Sequence, residues 1–276
     1  MRKYRFIIII LFFFVGISAA SAYKYFQGHD EGVVVLMYHD FGYSNDPKII
    51  NAEVFEEQMA ALAASDYDVI SMDQYVDYME GNLELEKKSV LITFDDGYED
   101  YYSIAYPILK KYNLPATNFI IVKHTNEPND KTLPHLTWDQ MREMKQYGQS
   151  FYSHTYNHHI YLDPGENDHA ALVSLKENET EEQYIGRIKS DLSYANELLV
   201  KELGEQPNIV AFPYGRYDDK LLKITKELGI DHTFNIKKGI NQSTGTKQSD
   251  TAVYHRVNAG LSKISGEDLL KLIKRQ

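Results

Sequence analysis

Two adjacent carboxylates, Asp95 and Asp96, followed by Gly97, close a short apolar run from Val90 to Phe94. Neighbouring side chains at a strand end diverge. One carboxylate can therefore hold a metal ion while the other stays free to take a proton from water. Gly97 permits a tight turn and a close approach of the backbone. In isolation an Asp-Asp-Gly sequence is also an ordinary turn closing a strand. What raises it above that is a second cluster, His154, His158 and His159, three histidines within six residues. Imidazole and carboxylate together suit zinc, cobalt, nickel or iron, and two His with one Asp leave positions open for water and substrate. A water on such an ion loses its proton more easily, and a second carboxylate beside it serves as base. The chain has no cysteine, so disulfides and thiolate metal sites are excluded.

These residues need elements to position them. Val33 to Tyr38 (VVVLMY) is a β-branched, apolar strand ending in His39-Asp40. Further strands are predicted at Val69-Ile70, Val90 to Phe94, Thr117 to Val122, just before Ser153, at Ile209 to Phe212, near His232 to Ile236, and near Val253 to Val257. Between them lie helical patterns: Asn51 to Ser65 with Asn51 as cap, Ser71 to Met79, and Tyr102 to Tyr112. Thr137 caps another helix, and Thr180 with Gln183 forms a capping box for a long one closed by Gly204. The polar stretch from Tyr161 to Asn178 is too long for a normal connection and reads as a surface loop or lid. Alternating short strands and helices predict an α/β fold with a parallel sheet, open or closed into a barrel. Functional residues of such folds sit at the carboxyl ends of the strands. Here those ends carry His39, Asp95-Asp96, the His154 cluster and Pro213-Tyr214-Gly215, all on one rim.

The 276 residues suit one large domain with a short appendage. Residues 1–22 form that appendage: Arg2, Lys3 and Arg5 precede an apolar run, and Ala20-Ser21-Ala22 fits a signal peptidase site. It is either a cleaved signal peptide or an N-terminal membrane anchor, and both place the rest outside the cytoplasm. Residues 23–32 read as a linker and 33–276 as the folded domain. A net charge of -11 argues against nucleic acid as a partner. Any contact with a membrane runs through the N-terminal segment alone. The 22 tyrosines are compatible with carbohydrate contact and equally with core packing.

Thr93-Phe94-Asp95-Asp96-Gly97-Tyr98, then His154-Thr155 with a following His, then Pro213-Tyr214-Gly215, resembles the polysaccharide deacetylase family. Met37-Tyr38-His39 and the long insert after the histidines resemble one branch of it, the poly-N-acetylglucosamine deacetylases of biofilm matrix. The resemblance implies a distorted (β/α) barrel of about seven parallel strands. It further implies a divalent metal, zinc with cobalt or nickel as alternatives, and an N-acetylglucosamine-containing polysaccharide as substrate. It makes Asp95 the general base, and Asp96 and His154 metal ligands. The third ligand is His159 on the longer spacing of the biofilm branch, or His158 on the commoner one. The backbone N–H of Tyr214 is implied as oxyanion donor, and His39 as general acid with His255 as its rival. Many relatives carry an arginine before the Pro-Tyr pair to hold the base, whereas Ala211-Phe212 stand here. Arg256, on a neighbouring strand, is the candidate replacement. Peptidoglycan and chitin oligomers are the alternative substrates. A surface glycan-binding protein with decayed catalysis, and more remotely a metal phosphodiesterase, are the alternative classes.

Overall fold

The computed structural model describes residues 32–276 except 44–45, 47, 130–132, 164–168, 205–208 and 249. The leader and residues 23–31 of the expected linker lie outside the described residues. Among the described residues no helix is long and apolar enough to cross a membrane.

In chain order the elements are β1 (Val33–Tyr38), β2 (Asp40–Phe41), β3 (Ile49–Ile50), α1 (Ala52–Ala63), β4 (Asp68–Val69) and α2 (Met72–Met79). Then come β5 (Ser89–Asp96), α3 (Tyr106–Lys111), β6 (Ala116–Ile120), α4 (Val122–Asn126), α5 (Trp138–Lys145) and β7 (Gln149–Ser153). The rest is α6 (Glu181–Leu203), β8 (Ile209–Ala211), α7 (Asp219–Glu227), β9 (His232–Phe234), β10 (Ala252–Tyr254), β11 (Val257–Asn258) and α8 (Gly266–Lys274). Nine strands form one sheet in the order β10-β9-β8-β7-β6-β5-β1-β11, with β4 also paired to β5, and every pairing is parallel. Two of the nine, β4 and β11, are two-residue strands, which leaves seven longer ones, the number that the family resemblance implies.

Alternation along the strands divides the core. Val33, Val35, Leu91, Phe119, Tyr152, Ile209, Phe234 and Tyr254 face one side, where Met72, Tyr75 and Met79 of α2 pack among them. Val34, Leu36, Tyr38, Val90, Ile92 and Phe94 face the other, against Phe55 and Met59 of α1 and Leu269 and Ile273 of α8. A curled sheet thus wraps a helix on its inner face and carries a helical layer outside, which explains why β1 and β5 are buried throughout.

Three local readings need correction. Asn51 occupies the cap position of α1, but its side chain makes no cap bond. Its carboxamide oxygen accepts from Ser262 instead. The helix expected over Tyr102 to Tyr112 opens as a π turn, Tyr101–Ala105, because Pro107 has no N–H to continue the regular ladder. The strand expected over Val253 to Val257 breaks at His255-Arg256: β10 pairs with β9, and β11 pairs with β1. The two edges of the sheet are thereby joined by two residues. An antiparallel bridge between Val33 and Asn241 adds to this seam.

The second half of the insert after the histidines is packed down rather than free. Ala170, Ala171 and Leu172 are fully buried. Tyr184 Oη donates to Leu172 O at 2.8 Å, and Arg187 donates to the carbonyls of Ala171 and Ser174.

Candidate metal centre and its carboxylate

Asp95 and Asp96 end β5, and Asp96 turns into a left-handed conformation (φ 73°) that carries the chain into Gly97 (φ 78°). A Cβ at Gly97 would stand 2.9 Å from Ile120 Cγ2, so glycine alone fits against β6. The turn sends the two carboxylates different ways. Asp95 meets Arg256, whose Nη1 donates to Oδ1 at 2.6 Å and Nη2 to Oδ2 at 2.8 Å. Arg256 is fully buried, and its Nε donates to Asn235 O at 2.9 Å. The arginine missing before Pro213 is thus supplied in space by the seam between β10 and β11. Burial alone raises the Asp95 pKa, but the charge of Arg256 and its bidentate fork outweigh it. The carboxyl is held well below the usual range.

Asp96 faces the histidines. His154 Nε2 lies 3.6 Å from Asp96 Oδ1, and His159 Nε2 lies 3.4 Å from the same oxygen. One ligand atom from each of the three residues falls within 4.8 Å of the others. His154 Nδ1 is engaged with Ala211 O at 2.8 Å, which fixes the ring and leaves Nε2 facing the centre. Burial lowers the pKa of both histidines to about 4, so the imidazoles are neutral, as ligation requires. Asp96 Oδ1 is buried and has no hydrogen-bond partner. A divalent cation fits this donor set: two neutral imidazole nitrogens and one orphaned carboxylate oxygen, with room for further ligands. His158 does not join them, and its Nδ1 lies 2.5 Å from Asp191 Oδ2.

The remaining expected residues surround the pair. His39 Nε2 is 3.8 Å from Asp95 Oδ2, and burial lowers its pKa against the opposing pull of Asp95 and Asp96. The His255 ring packs over Gly239, and its backbone N–H donates to Asn241 Oδ1 at 2.8 Å. Tyr214 sits in the turn Pro213–Gly215 with φ 58°. Its ring stacks on Tyr161 at 4.1 Å and lies 4.5 Å from His159, so Tyr161 belongs to this rim. Tyr156 instead meets Tyr194 edge-on and donates its hydroxyl to Glu127. Asp96, Thr155 and Tyr214 all hold left-handed backbone, uncommon outside glycine and unfavourable for β-branched Thr155. Strain at three strand ends facing one centre is the kind that functional sites retain.

Three contributors were not visible in the sequence. Tyr98 stands close enough to Asp96 that, after burial, the carboxylate charge raises its hydroxyl pKa. Asp191 was concealed within a helical pattern, although a carboxylate beside Ile188 and Leu192 on an apolar face was a usable signal. Asp100 pairs with Asp40 next to His39, and both carboxylates accept from Phe41 N–H at 2.8 Å. Burial, then the hydrogen bond to Asp40, raises the Asp100 pKa to about 8. The folded state therefore binds this proton more tightly than the unfolded chain, and stability falls as pH rises from about 4 towards 8. Asp100→Asn is expected to remove that loss, so its melting temperature should gain on wild type between pH 5 and pH 8. Equal shifts at both pH values would count against the shared proton.

The fold has known counterparts. A family model described as polysaccharide deacetylase matches residues 82–233. Poly-beta-1,6-N-acetyl-D-glucosamine N-deacetylase of Staphylococcus aureus is 30% identical over 201 residues, which cover 71% of this chain and 65% of that enzyme. The match therefore spans just under two thirds of that relative's length. Streptococcus pyogenes deacetylase PplD, solved in complex with acetate, is 28% identical with a TM-score of 0.69, covering 88% of this chain and 98% of that one. A de-N-acetylase from Aggregatibacter actinomycetemcomitans gives a TM-score of 0.75 at 26% identity, over 88% of this chain and 100% of that one. His39 and Arg256, the two side chains that meet Asp95, both lie outside residues 82–233. A match of this extent, over a sheet of the same form, makes the chain a member of the polysaccharide deacetylase family.

Proposed function

We propose that this protein is an extracytoplasmic, metal-dependent deacetylase that removes N-acetyl groups from an amino-sugar polymer, with poly-β-1,6-N-acetylglucosamine of biofilm matrix as substrate. The observation that carries the reading is the Asp95 carboxylate, forked by Arg256 beside a separate Asp96–His154–His159 donor set. The relative in Staphylococcus aureus is named for that polymer, and the basic, apolar leader supports the location. Asp96, His154 and His159 would hold the ion, zinc first, with cobalt or nickel as alternatives. When bound, it supplies Lewis acidity to the acetyl carbonyl and makes a water easier to deprotonate.

The chain's own residues do the rest. Asp95 takes the proton from water. Its depressed pKa makes it a weak base, so it suits an acidified water and stays ionised throughout the working pH range. The Tyr214 backbone N–H donates to the oxyanion of the tetrahedral intermediate. His39, 3.8 Å from Asp95, protonates the departing sugar nitrogen. Acetate and a free amine result. The Tyr161–Tyr214 stack offers an aromatic face beside the centre for a sugar ring. The intact Asp96–His154–His159 donor set, with Asp95 beside it, weighs against a decayed glycan-binding protein.

The test is acetate release by the purified protein from β-1,6- and β-1,4-linked N-acetylglucosamine oligomers and from peptidoglycan, after chelation and with zinc, cobalt or nickel restored. Metal-dependent release, fastest from the β-1,6 oligomers and lost in His154→Ala, is expected. Faster release from β-1,4 oligomers or peptidoglycan would reassign the substrate. No release from any of them by folded, metal-loaded protein would sink the enzyme reading.

A further inference from the structure

Asp191 lies on the buried face of α6, between Ile188 and Leu192, and no step above uses it. Its carboxylate is turned to the loop that carries the histidines. Oδ1 accepts from Tyr156 N–H at 3.0 Å and Oδ2 from Asn157 N–H at 2.8 Å, while His158 Nδ1 lies 2.5 Å from Oδ2. The other N–H groups of the loop are also accounted for. His154 donates to Ile120 O at 2.9 Å, Thr155 to Ser153 Oγ at 3.0 Å, and His158 to Thr155 Oγ1 at 3.1 Å. The carbonyls of Thr155 and Tyr156 accept from Val122 and Lys123 of α4. Two of five successive backbone donors therefore end on one buried carboxylate, which comes from a different element.

A buried carboxylate is costly unless it is paired and hydrogen-bonded, and here the loop supplies all three contacts. The consequence falls on the adjacent histidines. His158 and His159 are chemically equivalent as ligands, and nothing in the side chains themselves chooses between them. Asp191 captures His158, fixes the backbone before it, and leaves the His159 Nε2 facing Asp96 at 3.4 Å. We infer that Asp191 is a positioning residue that selects His159, not His158, as the third ligand of the metal centre. The inference rests on the metal-centre reading given above.

The test measures zinc and cobalt affinity of the purified full chain by competition with a chromophoric chelator, together with the visible spectrum of bound cobalt. The variants are Asp191→Ala, Asp191→Asn, His159→Ala and the double variant His159→Ala/Asp191→Ala. Loss of a residue that orients a ligand typically weakens metal binding about 10–100-fold. That loss, with an altered cobalt spectrum, is expected for Asp191→Ala, and a smaller one for Asp191→Asn, whose amide oxygen still accepts one N–H. His159→Ala alone should bind weakly. The double variant should bind more tightly than His159→Ala, because His158 is released to take the vacant position. A merely structural aspartate would make the double variant weaker still. If Asp191→Ala fails to fold, Asp191→Asn and His159→Ala/Asp191→Asn carry the same comparison. Wild-type affinity and spectrum in Asp191→Asn and Asp191→Ala, or a double variant no tighter than His159→Ala, would overturn the selection role. A wild-type chain that binds neither ion, or a His154→Ala variant that binds as wild type, would instead overturn the metal centre beneath it.

Discussion

Asp95→Asn is expected to lower the rate of acetate release by about 10²–10⁴-fold, the usual contribution of a positioned acid–base group, while metal content stays at the wild-type level. The separation follows from the geometry. Asp96 and both histidines face one another within 4.8 Å, whereas Asp95 is turned to Arg256 and His39. Asparagine keeps the shape but cannot take the proton. Its amide NH2 would also oppose one arm of the Arg256 fork, so a fall in melting temperature should accompany the loss, and rates must be taken well below it. Activity and elemental metal analysis on the same preparation give the answer. Undiminished release by Asp95→Asn would move the base to another residue.

Arg256→Met should have the largest effect on stability. Removing one partner of a buried pair leaves the other charge uncompensated, at a cost of about 3–5 kcal/mol. The sign of its pH dependence is fixed by Asp95. In wild type the Asp95 pKa is depressed on folding, so the pair contributes stability above the unfolded carboxyl value of about 4, and this is lost as pH falls. Without Arg256, burial raises the Asp95 pKa, and the variant is penalised at every pH where the unfolded carboxyl is ionised. The gap in melting temperature between wild type and Arg256→Met should therefore be wider at pH 8 than at pH 4. A gap of constant size would mean that the guanidinium acts by packing alone. Arg256→Lys keeps the charge but loses the two-pronged geometry, and should fall between the two in both stability and acetate release.

How much of this was legible beforehand depended on distance along the chain. The strand ending at Asp95-Asp96, the histidine cluster, the cap at Thr137 and the capping box at Thr180 are local patterns, and the structure contains each of them. Parallel strands are buried on both faces, so their apolar runs stand out even when only a few residues long. The relation of Arg256 to Asp95 is different. The arginine could be named as a candidate, but its two bonds to a carboxylate far away in sequence depend on β10 and β11 pairing with opposite edges of the sheet. The preference for His159 over His158 came from the spacing of the biofilm branch, whereas the carboxylate on α6 that lies against His158 was hidden. The expected Tyr102 to Tyr112 helix is present, but its first half is π-helical for a local reason, since Pro107 follows it. The buried second half of the insert was missed because its apolar residues, Ala170 to Leu172, are too few to register as a pattern.

The seam at His255-Arg256 also orders the assembly of the centre in time. A chain delivered amino end first, from a ribosome or through a translocation pore, presents Asp96, His154 and His159 long before Arg256. The donor set needs the chain only as far as β8, whose Ala211 carbonyl fixes His154 and which follows Asp191 on α6. An oriented base requires the last strand to close against the first. A nascent or truncated chain ending before β10 would thus sequester the ion without a held Asp95. On the roles proposed above, hydrolysis would begin only when the carboxy-terminal segment is in place, and a cut in that segment would silence turnover but leave the donor set of the ion intact.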